Sequence, residues 1–514
     1  MRWWPAVAIV GLATVGLIWI WSSFGEQRQS RVLATVALVG LSCILLLVWA
    51  ALFSRLSGKI RLSIVGGFVV LCVAGFFSFE KRGVTGDVLP LFQWRWTGAT
   101  AALDLPVPAN SSPAAATSEA DSRTDFPQFQ GPRRDGHLES TDLFTDWQQR
   151  PPRQLWRQEI GEGWSGFAVV GSHAVTQEQR GDHELISCYE RITGELLWIH
   201  SDLARHDDSL GGPGPRATPT IDRGRVYALG GTGLLTALDL ESGELLWSVD
   251  VMKDNAASPP QYGVAASPLV LGDRVIVPAG GPGGRSLVAY AAETGQRVWA
   301  GGSHRAAYSS PLFTTLAGRD QIVLLNASHL VGHDAEDGSL VWQYAWPGGT
   351  ENVSQPVVLA GDRLFLSTGY GAGGKSFRIV AGAGSIEADL EWESLALKAK
   401  FTNVVHREGF LYGLDDGIMA CVDAQTGKRV WKGGRYGHGQ ILLAGDVLLV
   451  QAESGAVVLV QATPDGHREL ARLDALEGKT WNSPALAGRH LLVRNDREAA
   501  CYELPLRDND EADR

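Results

Sequence analysis

Cysteine is scarce, at 5 residues in 514, and no two are adjacent or spaced as Cys-x-x-Cys. That excludes a disulfide framework and a thiolate metal knuckle. The 12 histidines form no His-Glu-x-x-His pair, and His304, His329, His333 and His438 are assigned to separate loops. No Gly-x-Ser-x-Gly elbow is present. Gly369 with Gly373-Gly374-Lys375-Ser376 lies between strand-like runs rather than before a helix, so no phosphate loop is read. Basic excess is missing as well. With 45 Lys and Arg against 56 Asp and Glu, the net charge is -11, which repels phosphate backbones and leaves nucleic acid out as a partner.

Charge is absent altogether from residues 3–24, 32–53 and 62–79. At ~1.5 Å rise per residue, each run crosses most of a ~30 Å hydrocarbon layer. Three transmembrane helices are expected, with Trp3, Trp4, Trp19, Trp21 and Trp49 near span ends, where indoles favour the headgroup level. The first apolar run is too long for the core of a cleaved signal peptide. Loop 54–61 carries Arg55, Lys59 and Arg61 without an acid, whereas the opposite loop has Arg28 and Arg31 but also Glu26. This asymmetry favours a cytoplasmic N-terminus, and three spans then place everything after residue 83 outside the cytoplasm. The expected organisation is a three-span anchor (1–82), a juxtamembrane segment and Ala/Ser/Pro-rich linker (83–125), a β domain (126–505) and an acidic disordered tail (506–514). Residues 86–96 are expected on the bilayer surface.

What is abundant is Gly, at 61, and Trp, at 18, and they recur together. A turn residue, Gly, three residues and Trp repeat at Thr193-Gly194 to Trp198, Ser242-Gly243 to Trp247, Thr294-Gly295 to Trp299, Asp337-Gly338 to Trp342 and Thr426-Gly427 to Trp431. Degenerate copies end at Trp392 and Leu470, and the copies lie roughly 40 to 50 residues apart, the period of propeller blades. Each copy reads as a β-hairpin whose Gly supplies positive φ. A second landmark precedes another apolar strand: Thr218-Pro219, Ser267-Pro268, Ser310-Pro311, Gln355-Pro356 and Ser483-Pro484, with weaker starts near Ser165, Asn403 and Gln440. Those starts number eight, whereas one hairpin end is missing at the C-terminus. Gln154-Leu155-Trp156-Arg157 is an unpartnered strand carrying the same Trp, so the two termini are expected to complete one blade together.

On these residues the stretch 126–505 resembles the PQQ-like β-propeller repeat proteins, whose blade signature is Thr-Gly-x-x-x-Trp. The resemblance implies an all-β, eight-bladed propeller preceded here by three transmembrane helices. Phe126-Pro127-Gln128-Phe129-Gln130-Gly131-Pro132 followed by Asp135-Gly136 is similar to the opening motif of membrane-anchored, BamB-like propellers, with Gln130 where Arg is usual. In that family the blade Trp docks between adjacent blades, so Trp156, Trp198, Trp247, Trp299, Trp342, Trp392 and Trp431 are implied to be structural. WD40 propellers share the period, but no Trp-Asp dipeptide occurs.

The family holds both quinoprotein dehydrogenases, which bind pyrroloquinoline quinone (PQQ), and the non-enzymatic assembly factor BamB. Quinoprotein alcohol dehydrogenases carry vicinal cysteines beside the quinone, which this chain lacks, so no catalytic residue, cofactor or metal is assigned. PQQ with Ca²⁺ stays as the alternative. Residues just before the innermost strands converge on the channel mouth and are the candidate ligand-binding set: Trp164, Arg216, Tyr262, Tyr308, Asn352, Asn403, His438 and Asn482. The expected function is a non-enzymatic scaffold of the bacterial cell envelope, multi-pass in the inner membrane, with the propeller on the periplasmic side and an envelope protein bound through its loops. The alternatives are a PQQ-dependent oxidoreductase or a small-ligand-binding propeller.

Overall fold

The computed structural model describes residues 3–23, 28–96, 124–138, 142–347, 351–382 and 384–507. The expected linker core and the acidic tail lie largely outside them. Two compact units are present, Met1–Asp104 with Ser209–Gly211 and Leu105–Asp208 with Gly212–Arg514.

In the first unit, helices Trp4–Ser22, Arg28–Val48 and Gly58–Ser78 are long and apolar enough to cross a membrane. The second continues through a wider turn, Trp49–Phe53, so its apolar stretch covers Arg28–Phe53. Their length and apolarity suggest that they associate the chain with a membrane. Trp3 meets Trp49 at 5.4 Å between ring centres, and the Trp21 indole donates to Thr35 Oγ1 at 3.2 Å. Within the stretch expected on the bilayer surface, Pro90–Trp94 pairs antiparallel with Phe79–Val84. Its alternation leaves Phe92 and Trp94 exposed, and Arg28 at the start of the second helix grips Asp87 at 2.7 Å.

In the second unit, eight sheets of four antiparallel strands follow one another in chain order, spanning residues 168–203, 220–250, 269–301, 312–345, 357–394, 405–435, 440–473 and 485–503 with Arg153–Glu159. The strands after each Thr/Ser/Gln-Pro landmark begin at the next residue, Thr220, Leu269, Leu312, Val357 and Ala485. Proline fits there because its missing N–H precedes the ladder. Arg153–Glu159 pairs with Glu498–Glu503, which closes the eighth blade with the chain's own earlier strand. His137–Leu138 adds a short parallel strand to the innermost strand of the seventh blade.

The core is divided into wedges between blades. Ala168, Val175, Ile186, Cys188 and Trp198 of the first blade pack on Ile221, Val226, Ala228, Leu238 and Leu240 of the second. The repeat now has a physical cause. Opposite each blade Trp stands a small residue: Cys188 faces Trp198, Ala237 faces Trp247, Ala289 faces Trp299, Cys421 faces Trp431 and Cys501 faces Trp156. The indole then leans over the turn Gly of the next blade. A Cβ on Gly243, at φ +69°, would lie 2.6 Å from Trp198, and one on Gly194 would lie 2.7 Å from Trp156. Indole N–H groups donate to the next blade's main chain, Trp156 to Arg191, Trp198 to Leu240, Trp247 to Ala292, Trp392 to Ala424 and Trp431 to Thr463. Two depart from the pattern: Trp342 donates to Gln321 Oε1 inside its own sheet, and Trp299 Nε1 is buried without an acceptor among the described residues.

One wedge carries an ionisable group. Glu184, buried on the first blade, accepts from Gly231 N at 3.0 Å in the second, and burial pushes its carboxyl up to about 7. Against an unfolded value of ~4.3, a raised acid contributes stability below that value that is lost as pH rises through 7. The substitution Glu184→Gln is expected to leave urea stability unchanged at pH 4 and to raise it by about 3 kcal/mol at pH 8, at ~1.36 kcal/mol per unit. Equal stabilities at both pH values would contradict this.

Candidate functional site

The eight landmark positions form a hydrogen-bonded belt around the channel mouth. Asn482 Nδ2 of the eighth blade donates to Ser165 O at 2.8 Å, Gly166 N to Thr218 Oγ1 at 3.1 Å, Thr218 N to Ser267 Oγ at 2.9 Å and Ser267 N to Ser310 Oγ at 2.9 Å. Gln355 Nε2 donates back to Ser310 O at 3.3 Å, and its N–H goes to Asn403 Oδ1 at 3.0 Å. Gln440 Nε2 bridges Phe401 O at 3.0 Å and Trp481 O at 3.2 Å, which closes the circle. Every blade is thereby tied to the next by a side chain standing where two inner strands begin. Polar residues recur at this position because the backbone there has left the ladder and its groups need partners.

This belt absorbs part of the candidate set. Asn482 and Asn403 are buried in it, and Asn352 Nδ2 donates to Asn326 O at 2.9 Å. The remaining candidates converge in two groups. In one, Arg216 Nε donates to Tyr262 O, Tyr262 N to Tyr308 Oη at 3.2 Å and Tyr308 N to Asn352 O at 2.9 Å, a chain from the second blade to the fifth. Burial lowers the Arg216 guanidinium to about 10 and pushes the Tyr308 phenol up to about 12. In the other, Trp164 lies 4.9 Å from Trp481 between ring centres, and Lys479 Nζ sits over both, at 4.5 Å and 4.1 Å. Desolvation brings that ammonium down to about 8. Phe401 extends the platform, 5.1 Å from Trp481 and 5.0 Å from His438, and Lys400 lies over Phe401 and Tyr370. The arrangement offers a cationic, aromatic rim suited to flat or anionic surfaces.

Sequence reasoning missed Lys479, Trp481, Phe401 and Lys400, because it took one residue per blade where the loops supply two or three. The adjacency of Trp481 to Asn482 was the available signal. Histidines assigned to separate loops also converge: His304 stacks on His329 at 4.0 Å, and His333 is buried nearby with Nδ1 against Gly338 O at 2.8 Å. Burial, with His304 as neighbour, holds His329 and His333 below the usual imidazole range. Among the described residues, no three His, Cys, Asp or Glu side chains are placed to hold a metal ion.

Residues 126–138 run across the ring from blade to blade. Phe126 exchanges two hydrogen bonds with Val169 of the first blade, Pro127 O accepts from Ile221 N of the second, Arg134 reaches Ser267 O and Pro268 O of the third, and His137–Leu138 pairs with the seventh.

Residues 182–433 match a family model described as outer membrane protein assembly factor BamB. The chain is similar to BamB from Moranella endobia, 34% identical over 94 residues, 17% of this chain and 20% of that protein. It is 30% identical to quinohemoprotein alcohol dehydrogenase ADH-IIG from Pseudomonas putida over 186 residues, 32% of this chain and 25% of that enzyme. A solved structure of quinohemoprotein alcohol dehydrogenase ADHIIG from Pseudomonas putida HK5 aligns with a TM-score of 0.55 at 13% identity, covering 76% of this chain and 81% of that one. The chain spans a quarter or less of the length of these two curated relatives. Eight four-stranded blades pinned by Gly–Trp contacts make the ring a β-propeller, and these matches show its fold to be similar to that of the PQQ-like repeat proteins. The stretch matched by the BamB model is just under half of the chain, which also carries three apolar N-terminal helices.

Two of the oxygen-bearing side chains at the mouth that could ligate the Ca²⁺ of a quinone site already accept hydrogen bonds. Calcium takes ~6–8 oxygen ligands. Here Asn403 Oδ1 accepts from Gln355 N–H, and the carboxylate of Glu453 accepts from His438 N–H at 3.1 Å and from the Trp481 indole at 2.9 Å. The thiols of Cys188, Cys421 and Cys501 are buried between blades, each on a different sheet.

Proposed function

We propose that this protein is a membrane-tethered, extracytoplasmic propeller that acts as a non-enzymatic interaction scaffold in the bacterial cell envelope. The observation that carries the reading is the closed belt: polar side chains at the channel mouth join blade to blade, which suits a rigid disc that presents its loops. The match to the BamB family model supports the same reading. The loop charges of the anchor support a cytoplasmic N-terminus, an inner-membrane anchor at 1–82, a tether at 83–125 and a periplasmic ring at 126–505. The partner is an envelope protein with an acidic or aromatic loop, received by the rim of Lys479, Trp164, Trp481 and Phe401.

A photo-crosslinking residue at Tyr370, placed in the full chain in intact cells, is expected to give a discrete protein adduct that Lys479→Ala with Trp481→Ala abolishes. A uniform smear, or no adduct, would count against the scaffold. The similarity to a quinohemoprotein alcohol dehydrogenase favours a second reading, quinone-dependent oxidation. Adding PQQ and Ca²⁺ to the purified chain separates the two: a saturable absorbance change with dye-linked alcohol oxidation supports the enzyme and contradicts the scaffold.

A further inference from the structure

The hairpin that follows the third helix has one open face. Phe79 lies opposite Trp94 and Lys81 opposite Phe92, and because alternate residues of a strand share a side, these four occupy the same face. All four are exposed, Phe92 at 65% and Trp94 at 44%. Phe79 and Trp94 meet edge to face at 5.0 Å between ring centres, and Trp96, itself exposed, extends the row at 5.1 Å from Trp94. Exposed Phe76 and Phe77 carry the apolar surface back onto the last turn of the helix, where Arg95 lies over Phe76 at 5.6 Å. An open apolar patch of this kind marks a surface that something covers.

Position and chemistry select the cover. The helix Gly58–Ser78 has 21 residues and, at ~1.5 Å each, spans the ~30 Å hydrocarbon layer, so the strand that starts at Phe79 begins where the chain leaves the acyl chains. A two-stranded sheet has two open edges, whose N–H and C=O groups find no partners in hydrocarbon. A row of exposed aromatic rings is equally ill-suited to bulk water. The headgroup layer meets both demands, with water and phosphates for the edges and the upper acyl chains for the rings, and indoles favour it. Charge narrows the choice of lipid. Lys81 has no ion pair or hydrogen bond among the described residues, and its apolar stem can lie on the bilayer side while the ammonium reaches a phosphate. Arg82 and Arg95 add to its charge. Of the two acids in the hairpin, Glu80 stands opposite Gln93 on the other face and Asp87 is already gripped by Arg28.

We propose that this hairpin is a lipid-binding collar that lies in the headgroup layer, with the face of Phe79, Lys81, Phe92 and Trp94 toward the bilayer, and that it gathers anionic phospholipid. Basic residues held at the level of the phosphates attract negatively charged headgroups over zwitterionic ones. The proposal rests on the reading of residues 1–82 as a membrane anchor, and it holds whichever way the N-terminus points.

Photo-crosslinking tests it, with the full chain in nanodiscs of about four parts phosphatidylcholine to one part phosphatidylglycerol. Benzoylphenylalanine in place of Phe92 is expected to give lipid adducts, and the same probe in place of Gln93, on the other face, about fivefold fewer. Phosphatidylglycerol should be enriched about threefold in the Phe92 adducts over its share of the bilayer. Lys81→Gln should remove most of that enrichment and Lys81→Arg should keep it, and neither change threatens the fold, because Lys81 is exposed. A probe in place of Leu71, 72% exposed in the third helix, separates this proposal from the anchor reading. Lipid adducts from Leu71 but not from Phe92, or protein adducts alone from Phe92, would overturn the collar and leave the anchor standing, whereas no lipid adduct from either would remove both. Equal yields from Phe92 and Gln93, or an enrichment unchanged in Lys81→Gln, would also overturn the proposal.

Discussion

Deleting residues 153–159 from the full chain is expected to abolish the cooperative thermal transition of the ring and to drive it into higher oligomers. This strand supplies the outer edge of the eighth blade, in register from Arg153 against Glu503 to Glu159 against Glu498. It also carries Trp156, which is 7% exposed, covers Gly194 of the first blade and donates to Arg191 O at 2.9 Å. Arg157 adds a bidentate pair with Glu498 at 2.7 and 2.9 Å, half-exposed and so worth under about 1 kcal/mol. Burying one Trp is worth on the order of 3 kcal/mol, and several ladder hydrogen bonds at about 1 kcal/mol each come on top. The total approaches the ~5–15 kcal/mol that typically separates folded from unfolded domains. Removal also uncovers the ladder of Glu498–Glu503, an apolar edge that can pair with another molecule. Scanning calorimetry and light scattering check both outcomes, and a peptide of residues 150–160 added in trans should restore the transition. A deletion variant that stays monomeric and melts within about 3 °C of wild type would show that closure comes from elsewhere.

The closure was legible in the sequence because it is periodic. Trp at the blade end, Gly beneath the neighbouring Trp and a polar residue before Pro each answer a local need that returns with every blade, so eight strand starts could be counted with one partner missing. What has no period was not legible. Residues 79–94 form a hairpin because Phe79, Phe92 and Trp94 alternate, a pattern that also suits a segment lying on lipid. Trp342 lacks the usual acceptor because the fifth blade has no Thr-Gly turn, and Gln321 takes its indole instead. The rim of Lys479, Trp481 and Phe401 joins the sixth and eighth blades. An open cavity beside Arg134 joins the crossing segment to three blades whose lining residues begin at Leu312, Gln355 and Asn403. Contacts between points so far apart in the chain arise from ring curvature, which no local spacing encodes.

The seam left by this closure should depend on one buried cation, and Arg494→Met is expected to cost about 4 kcal/mol. Arg494 is 1% exposed on the eighth blade. Its guanidinium donates to Thr176 Oγ1 at 2.8 Å and Gln177 O at 2.7 Å on the first blade, and to Gly161 O at 2.8 Å just after the closing strand. It therefore binds the three pieces of chain that meet at the seam. Nearby, Glu178 is fully buried and accepts from Arg180 at 2.6 Å, Tyr189 at 2.6 Å and Gly161 N at 2.8 Å. Burial alone would raise its carboxyl, but Arg180 and Arg494 outweigh burial and hold it below the usual range. Methionine fills a similar volume, so the loss comes from main-chain acceptors left unpaired, at ~1–3 kcal/mol each, and from a buried carboxylate stripped of one of its cations. Adding Glu178→Gln removes the stranded charge, and the double variant should recover about 1–2 kcal/mol relative to the sum of the singles. Acid gives an independent sign. A depressed carboxyl contributes stability above its unfolded value of ~4.3 that is lost as pH falls through the folded value, so wild type should lose stability below pH 4 more steeply than Glu178→Gln. Urea titrations of the four proteins at pH 7 and pH 3.5 read both effects. A single-variant cost under about 1 kcal/mol would mean that the belt at the channel mouth holds the eighth blade to the first without this bolt.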